Sequence, residues 1–288
     1  MLIAGAGGFI GRRLVALLRR SEAAVEPVGW AECDLRRPEE ARALLERLRP
    51  QTVVNLARPT HAADPSGHEG HSEIARSLLA AARAAGASRL IHLGSSTEFG
   101  QAESPVDDDA PLRPTTPFGR AKARASSLLL SADGEGIRTV VLRPFCVYGP
   151  GDRRRHLIPA TIDAALSGRR LPLAAGVGRD WVFVDDLALG CALALDGRAD
   201  GLSVNLASGV AVPNEQVVEL VGELLGRRIE VDRGVLAPRP WDASLAGSTG
   251  RARRVLGWAA STGLPDGIPL TLAAHGPARD TLNVAAAR

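Results

Sequence analysis

Short apolar runs alternate with amphipathic stretches through the first half of the chain, the pattern of a parallel sheet wound with helices. "MLIAGA" predicts a strand, and "GRRLVALLRR" a helix whose apolar positions 14, 15, 17 and 18 share a face. A second strand is expected at "VEPVGW". The helix after it, "RPEEARALLERL", has its acids at the start, where the helix dipole favours them. "TVVNLA" predicts the third strand, "HSEIARSLLAAARAAG" a helix ending on Gly86, and "RLIHLGSS" the fourth strand. "RAKARASSLLLSA" reads as a helix, and "RTVVLRPFCVYG" as one further strand.

Beyond "GPGD" the alternation loosens. "LIPATIDAALSG", "VDDLALGCALALDG" and "NEQVVELVGELLG" predict helices, with short strands such as "DWVFV" and "LSVNLA" between them. A soft boundary is expected near residue 150, without a flexible linker. There are no repeats and no low-complexity tract, and the tail after Gly276 is expected to fray.

The motif between the first strand and first helix gives this pattern a purpose. "GAGGFIG" places Gly5, Gly8 and Gly11 at a G-x-x-G-x-x-G spacing. Glycines there permit a tight turn and let the backbone approach a pyrophosphate, whose charge rests on the helix N-terminus. The expected fold is therefore α/β: a Rossmann-type doubly wound parallel sheet with a smaller C-terminal α/β substrate domain. Residues 1–150 would form the dinucleotide-binding part. Residues 151–288 would be mainly substrate-binding and interleaved with the first. An acid that binds the ribose hydroxyls of NAD is usual at the tip of the second strand. Here the tip has none, although Glu32 and Asp34 follow shortly, while Arg12 and Arg13 after the glycine loop could meet a 2′-phosphate. NAD and NADP both remain open, with a slight preference for NADP.

Composition narrows the partners. The 288 residues carry a net charge of only +3, and the arginine clusters at 153–155 and 251–254 are too short for a nucleic-acid stripe. Three scattered cysteines, Cys33, Cys146 and Cys191, suit neither a disulfide framework nor a thiolate metal site. No metal is expected. No apolar run approaches the roughly 18 residues of a membrane span, and the N-terminus leads directly into a strand with no room for a signal peptide. The expectation is a soluble, cytoplasmic protein with a small-molecule substrate.

Taken together, the glycine loop, "TVVNLA", "LGSSTEFG", "PFGRAK", "LRPFCVYGPGD", "GRDWVFVDDLA", "NLASG" and "RPWD…RVLGW" resemble the extended short-chain dehydrogenase/reductase family over nearly the whole length. Its members include nucleotide-sugar epimerases, 4,6-dehydratases and 4-keto-sugar reductases. The resemblance implies a dinucleotide site at Gly5, Gly8, Phe9, Ile10, Gly11, Arg12, Asp34, Leu35, Leu56, Ala57, Lys122 and Pro144. It places Ser95 at the catalytic Ser/Thr position and Lys122 at the lysine that binds the nicotinamide ribose. Ser96, Thr97, Arg179, Tyr148 and Arg239 would lie on the substrate side, with Arg179 meeting nucleotide phosphates and Tyr148 near the substrate but chiefly structural. Asn205 could reach the substrate or be structural. Asp185 and Asp186 would cap and orient the helix that follows them. The short "GWAECDL" link is closer to keto-sugar reductases than to epimerases, and family members often pair as homodimers through two long helices.

One position departs from that family. Lys122 is the only lysine in the chain, and four residues before it, where the family has its acid/base tyrosine, stands Phe118. Phenylalanine has no ionisable hydroxyl, and loss of a positioned acid/base lowers rate about 10²- to 10⁴-fold. A chain that uses arginine everywhere else keeps a compact ammonium where two ribose hydroxyls would need one, so the cofactor is expected to bind still. Phe118 then marks altered chemistry on a retained nucleotide site, or an introduced change. Ser95, Ser96, Glu98 and Tyr148 are the groups that could stand in for the phenol. His61, His68 and His71 read as surface or capping residues, and Glu98 as a residue facing solvent. The alternative to a redox enzyme is a binding or regulatory protein in which the dinucleotide is structural.

Overall fold

A computed structural model describes residues 1–59, 68–152, 156–174, 176–233 and 244–275. Its central sheet carries six parallel strands. These are β1 (Leu2–Ala4), β2 (Glu26–Val28), β3 (Thr52–Asn55), β4 (Arg89–Leu93), β5 (Arg138–Pro144) and, much later in the chain, β9 (Ser203–Leu206). The spatial order is β2-β1-β3-β4-β5-β9, so the chain reverses its direction of winding between β1 and β3. Helices α1 (Phe9–Arg20), α2 (Pro38–Leu48), α3 (Gly70–Ala84) and α4 (Pro117–Ser131) form the connections.

Both faces of the sheet are buried, and successive strand residues serve opposite cores, as a period of two requires. Ile3, Val54, Ile91, Val140 and Leu142 face one core, with Leu14 and Leu18 of α1. Leu2, Ala4, Val53, Leu90 and Val141 face the other, with Leu44, Leu78 and Leu129 of α2, α3 and α4. The expected doubly wound architecture is present.

The run "RTVVLRPFCVYG" is not one strand. β5 ends at Pro144, Phe145 donates its N–H to Leu206 O, and β6 (Cys146–Tyr148) enters another sheet. Proline has no N–H to continue the ladder, so pairing can change there. The remaining elements are α5 (Leu157–Ser167), β7 (Leu171–Pro172), β8 (Gly178–Phe183), α6 (Val184–Leu193), β10 (Ala211–Pro213), α7 (Asn214–Leu225), β11 (Val231–Asp232) and α8 (Leu264–Ala273). β8 pairs parallel to β6 and antiparallel to β10, while β7 and β11 form a separate parallel pair. A third core of Tyr148, Ile158, Trp181, Phe183, Val217 and Ile268 joins these pieces. Helix α6 returns to the large sheet and packs on α1. Among the described residues, no helix is long and apolar enough to cross a membrane.

Candidate active site

The first turn after β1 is shaped by glycine. Gly5 has φ +79°, and a Cβ there would stand 2.7 Å from the Leu56 carbonyl. No side chain caps α1 at its N-cap, Gly8, and Gly7 has open space where a side chain would be. The backbone N–H groups of Ile10 and Gly11 in the first turn are therefore available to an anion, and the missing side chains form the cradle. This is the fit expected for a pyrophosphate. Leu56 and Ala57 follow β3, and Pro144 ends β5, all at the C-terminal edge of the sheet.

The acids near β2 are already engaged. Glu32 accepts the Gly29 N–H at 2.7 Å, and Asp34 is paired with Arg36 at 2.6 and 2.9 Å, which holds its pKa down. A small recess beside them is lined by Trp30, Asp34, Leu35, Arg36, Ala57 and Arg58. Arg12 is exposed. Arg13, expected as its partner at a 2′-phosphate, instead donates to Pro150 O at 3.0 Å and lies 3.4 Å from Asp185.

At the end of β4 the chain forms a capped turn. Ser95 Oγ accepts from the Thr97 N–H at 3.2 Å and the Thr97 hydroxyl at 2.8 Å, while Glu98 Oε1 accepts the Ser95 N–H at 2.8 Å. Both acceptor sites on Ser95 Oγ are filled, so its own proton is left to donate. The expectation that Glu98 faces solvent is overturned. Glu98 is fully buried and lies 2.8 Å from Arg143 Nε, and it also accepts from Ser126 Oγ at 2.9 Å. With both oxygens occupied it is a fixed strut and cannot carry the proton of the missing phenol.

Helix α4 begins earlier than the sequence pattern suggests. Thr116 caps it by accepting the Gly119 N–H at 2.9 Å, and Pro117 takes the first helical position, where its missing N–H does no harm. Phe118 and Lys122 thus share one face, four residues apart. Lys122 is buried, and its Nζ donates to Leu93 O at 2.6 Å. Burial pulls its pKa down to about 8, against the raising effect of Glu98.

Phe118 is framed by imidazoles. The rings of His68 and His71 meet it edge-on, with centroids 5.7 and 5.3 Å away. His71, expected in a surface or capping role, is buried, and burial together with the Lys122 charge holds its pKa down to about 2. Behind it lies a residue the sequence pattern gave no reason to single out: His92 of β4, also buried, with Nδ1 3.0 Å from Asn55 Nδ2. His61 lies outside the described residues.

Phe118 is also part of the wall of a cleft of about 500 Å³, together with Ser96, Thr97, Thr116, Phe145, His156, Arg179, Asp180, Trp181, Asn214 and Leu245. His156, Asp180, Trp181 and Asn214 were not foreseen. His156 follows an arginine run that looks like an ordinary charged stretch, and Asp180 stands next to the Arg179 already singled out, so neither drew notice in the sequence. Asp180 organises the wall by accepting the N–H groups of Ser208, Gly209 and Gly247 and the Ser208 hydroxyl, and burial raises its pKa.

Three further expectations need correction or reassignment. Tyr148 is 1% exposed, and its hydroxyl donates to Gly263 O at 2.8 Å, so it is a core residue with its pKa raised by burial and cannot stand in for the phenol. Asn205 is fully buried and donates to Val106 O, a structural role. Asp186 does not cap α6; its carboxylate accepts from the backbone and hydroxyl groups of Ser261 and Thr262 and fastens that segment. Arg239 lies outside the described residues. Among those residues there is no group of three or more His, Cys, Asp or Glu side chains placed to hold a metal.

Sheet order and glycine turn together define a Rossmann-type dinucleotide-binding protein. The chain belongs to the NAD dependent epimerase/dehydratase family, whose profile matches residues 1–207 and so ends just past β9. It is 32% identical over 203 residues to a UDP-glucose 4-epimerase of Streptomyces lividans, a match spanning 63% of this chain and 60% of that protein. It is 31% identical over 256 residues, 80% of each chain, to a dTDP-6-deoxy-L-talose 4-dehydrogenase (NAD(P)(+)) of Kitasatospora kifunensis. The UDP-glucose 4-epimerase of Thermus thermophilus, solved in complex with NAD, superposes with a TM-score of 0.85. That match has 25% identity and covers 95% of this chain and 98% of that one.

Proposed function

We infer that this protein is an NAD(P)-dependent oxidoreductase of epimerase-like build that acts on a nucleotide-linked sugar, most closely a keto-sugar reductase. The observation that carries the reading is Lys122: a buried ammonium, fixed on Leu93 O beside Ser95, where the cradle at Gly5 would deliver the nicotinamide end of a dinucleotide. The names of its relatives, several of them nucleotide-sugar epimerases and reductases, support the substrate class. The dinucleotide, when bound, supplies hydride exchange with a sugar carbon.

The chain's own residues do the rest. The α1 N-terminus holds the pyrophosphate, and Lys122 grips the ribose. Ser95 donates its free proton to the substrate oxygen, and Arg179 in the cleft wall faces the nucleotide phosphates. With Glu32 and Asp34 both occupied and Arg12 and Arg58 exposed nearby, NADP is favoured over NAD. A homodimer through α3 and α4 completes the proposal.

The test is turnover of nucleotide-linked 4-keto-sugars by the protein and by Phe118→Tyr. The tyrosine form is expected to be about 10²- to 10⁴-fold faster. If neither form oxidises or reduces any nucleotide sugar, the reading fails. The second reading, a non-redox protein with a structural dinucleotide, is favoured only by Phe118; a bound nicotinamide whose absorbance never changes on adding sugar would support it.

A further inference from the structure

The glycine cradle runs on into the recess past the tip of β2. Ala57 links the two: its Cα stands 2.8 Å from where a Cβ on Gly5 would lie, and it also lines the recess. The recess measures about 40 Å³. That is room for about one water, whose share of the liquid is about 30 Å³, so a flat ring could lie only across its mouth. Trp30 stands there. Trp181 and Trp258 are 6% and 2% exposed, whereas Trp30 is 58% exposed, although tryptophan is highly buried on average in folded proteins. The backbone fixes it outside. The turn from Gly29 to Glu32 closes on itself, with Glu32 Oε2 accepting the Gly29 N–H at 2.7 Å and Gly29 O accepting the Glu32 N–H at 3.3 Å. The N–H groups of Gly5 and Ala6 both donate to Val28 O, which ties this turn to the phosphate turn.

The end of β3 adds Arg58 to the same recess. Arg58 is exposed and has no hydrogen bond or ion pair among the described residues. The other charges lining the recess, Asp34 and Arg36, cancel in an ion pair of 2.6 Å, so its net charge is that of Arg58. An exposed indole beside an uncompensated guanidinium suits a ligand that carries both a flat base and an anion. A purine stacks on the indole, and a phosphate takes the two-pronged hydrogen bonding of arginine.

We propose that Trp30 and Arg58 clamp the adenosine end of NADP, the indole stacking on adenine and the guanidinium pairing with the 2′-phosphate. The clamp deepens the cofactor reading above and rests on its dinucleotide site; it is independent of the sugar substrate. An unphosphorylated ribose gains less here. Glu32 is already spent on the Gly29 N–H and Asp34 on Arg36, so neither carboxylate is open to a 2′-hydroxyl, while Arg58 keeps its charge for a phosphate. Stacking then holds the base of either dinucleotide, and Arg58 alone tells the two apart.

Tryptophan emission of the full chain, titrated with oxidised NADP and oxidised NAD, tests both halves, because neither oxidised form absorbs that emission; calorimetry gives the affinities independently. NADP is expected to quench the emission and to bind about 10- to 100-fold tighter than NAD. Trp30→Phe keeps a stacking ring, so it should bind NADP within a few-fold of the parent yet lose most of the quenching. Trp30→Ala should weaken both nucleotides alike, by about tenfold. Arg58→Met keeps the length of the side chain without its charge and should abolish the preference for NADP while leaving NAD affinity unchanged. Both side chains are exposed, so every variant should melt with the parent, which separates a lost contact from a lost fold. Quenching that survives in Trp30→Phe, or a preference for NADP that survives in Arg58→Met, overturns the clamp and leaves the dinucleotide site standing. Tighter binding of NAD than of NADP by the parent does the same. Binding of neither nucleotide overturns the dinucleotide reading, and the clamp with it.

Discussion

The two buried histidines make the protein acid-sensitive in a calculable way. In the folded chain His71 titrates near 2, because burial and Lys122 disfavour its charge, and the fully buried His92 is also held well below 6.5. Once unfolded, each returns to about 6.5. As pH falls below that value the unfolded chain takes up protons that the folded chain refuses, so stability present above pH 6.5 is progressively lost. At pH 5.5 the loss is RT ln(1 + 10), about 1.4 kcal/mol for each ring, whatever the exact native value, provided it lies well below 5. Relative to pH 7.5 the pair removes about 3 kcal/mol, a large share of the stability of an ordinary domain. Asp108 and Asp180 act in the opposite sense, because burial raises their pKa and the folded form then takes up protons first. Urea unfolding at pH 7.5 and 5.5 should therefore be compared between the protein and its His71→Asn and His92→Asn variants, which share those carboxylates. Each variant starts from a lower stability but should lose about 1.4 kcal/mol less between the two pH values. Variants that fall in parallel with the parent to within a few tenths of a kcal/mol would refute the buried, neutral state of these rings.

Two other substitutions separate the cofactor cradle from the scaffold. Gly5→Ala places a methyl group 2.7 Å from the Leu56 carbonyl in a left-handed turn and should weaken NADPH binding by more than about tenfold in a fluorescence titration. Glu98→Gln leaves Arg143 buried without its counter-charge and should lower unfolding free energy by about 3–5 kcal/mol in urea.

The architecture was legible because it depends on local pattern. Alternating apolar runs and amphipathic helices, with glycines at 5, 8 and 11, specify a wound sheet and its phosphate turn. What stayed hidden depends on partners far along the chain. Glu98 looks like one more surface acid in "STEFG" until β5 brings Arg143 to it. His92 sits in an apolar strand with nothing nearby in sequence to reveal Asn55 on the next strand. The apolar run through Pro144 shows burial but not which sheet each part joins. Tyr148 was expected near the substrate and chiefly structural; the core beneath α8 claims its hydroxyl, so only the structural part of that expectation is met.

The late return of the chain to its first sheet has a practical consequence. β9 covers the outer rim of β5, and α6 blankets α1, although both come after residue 193 or close before it. A fragment ending near residue 150 would bare a long row of unpaired backbone groups and an apolar helix flank, the ingredients of self-association. Expression of the front half by itself should therefore yield aggregates, and any dissection of this protein has to carry the chain through Leu206.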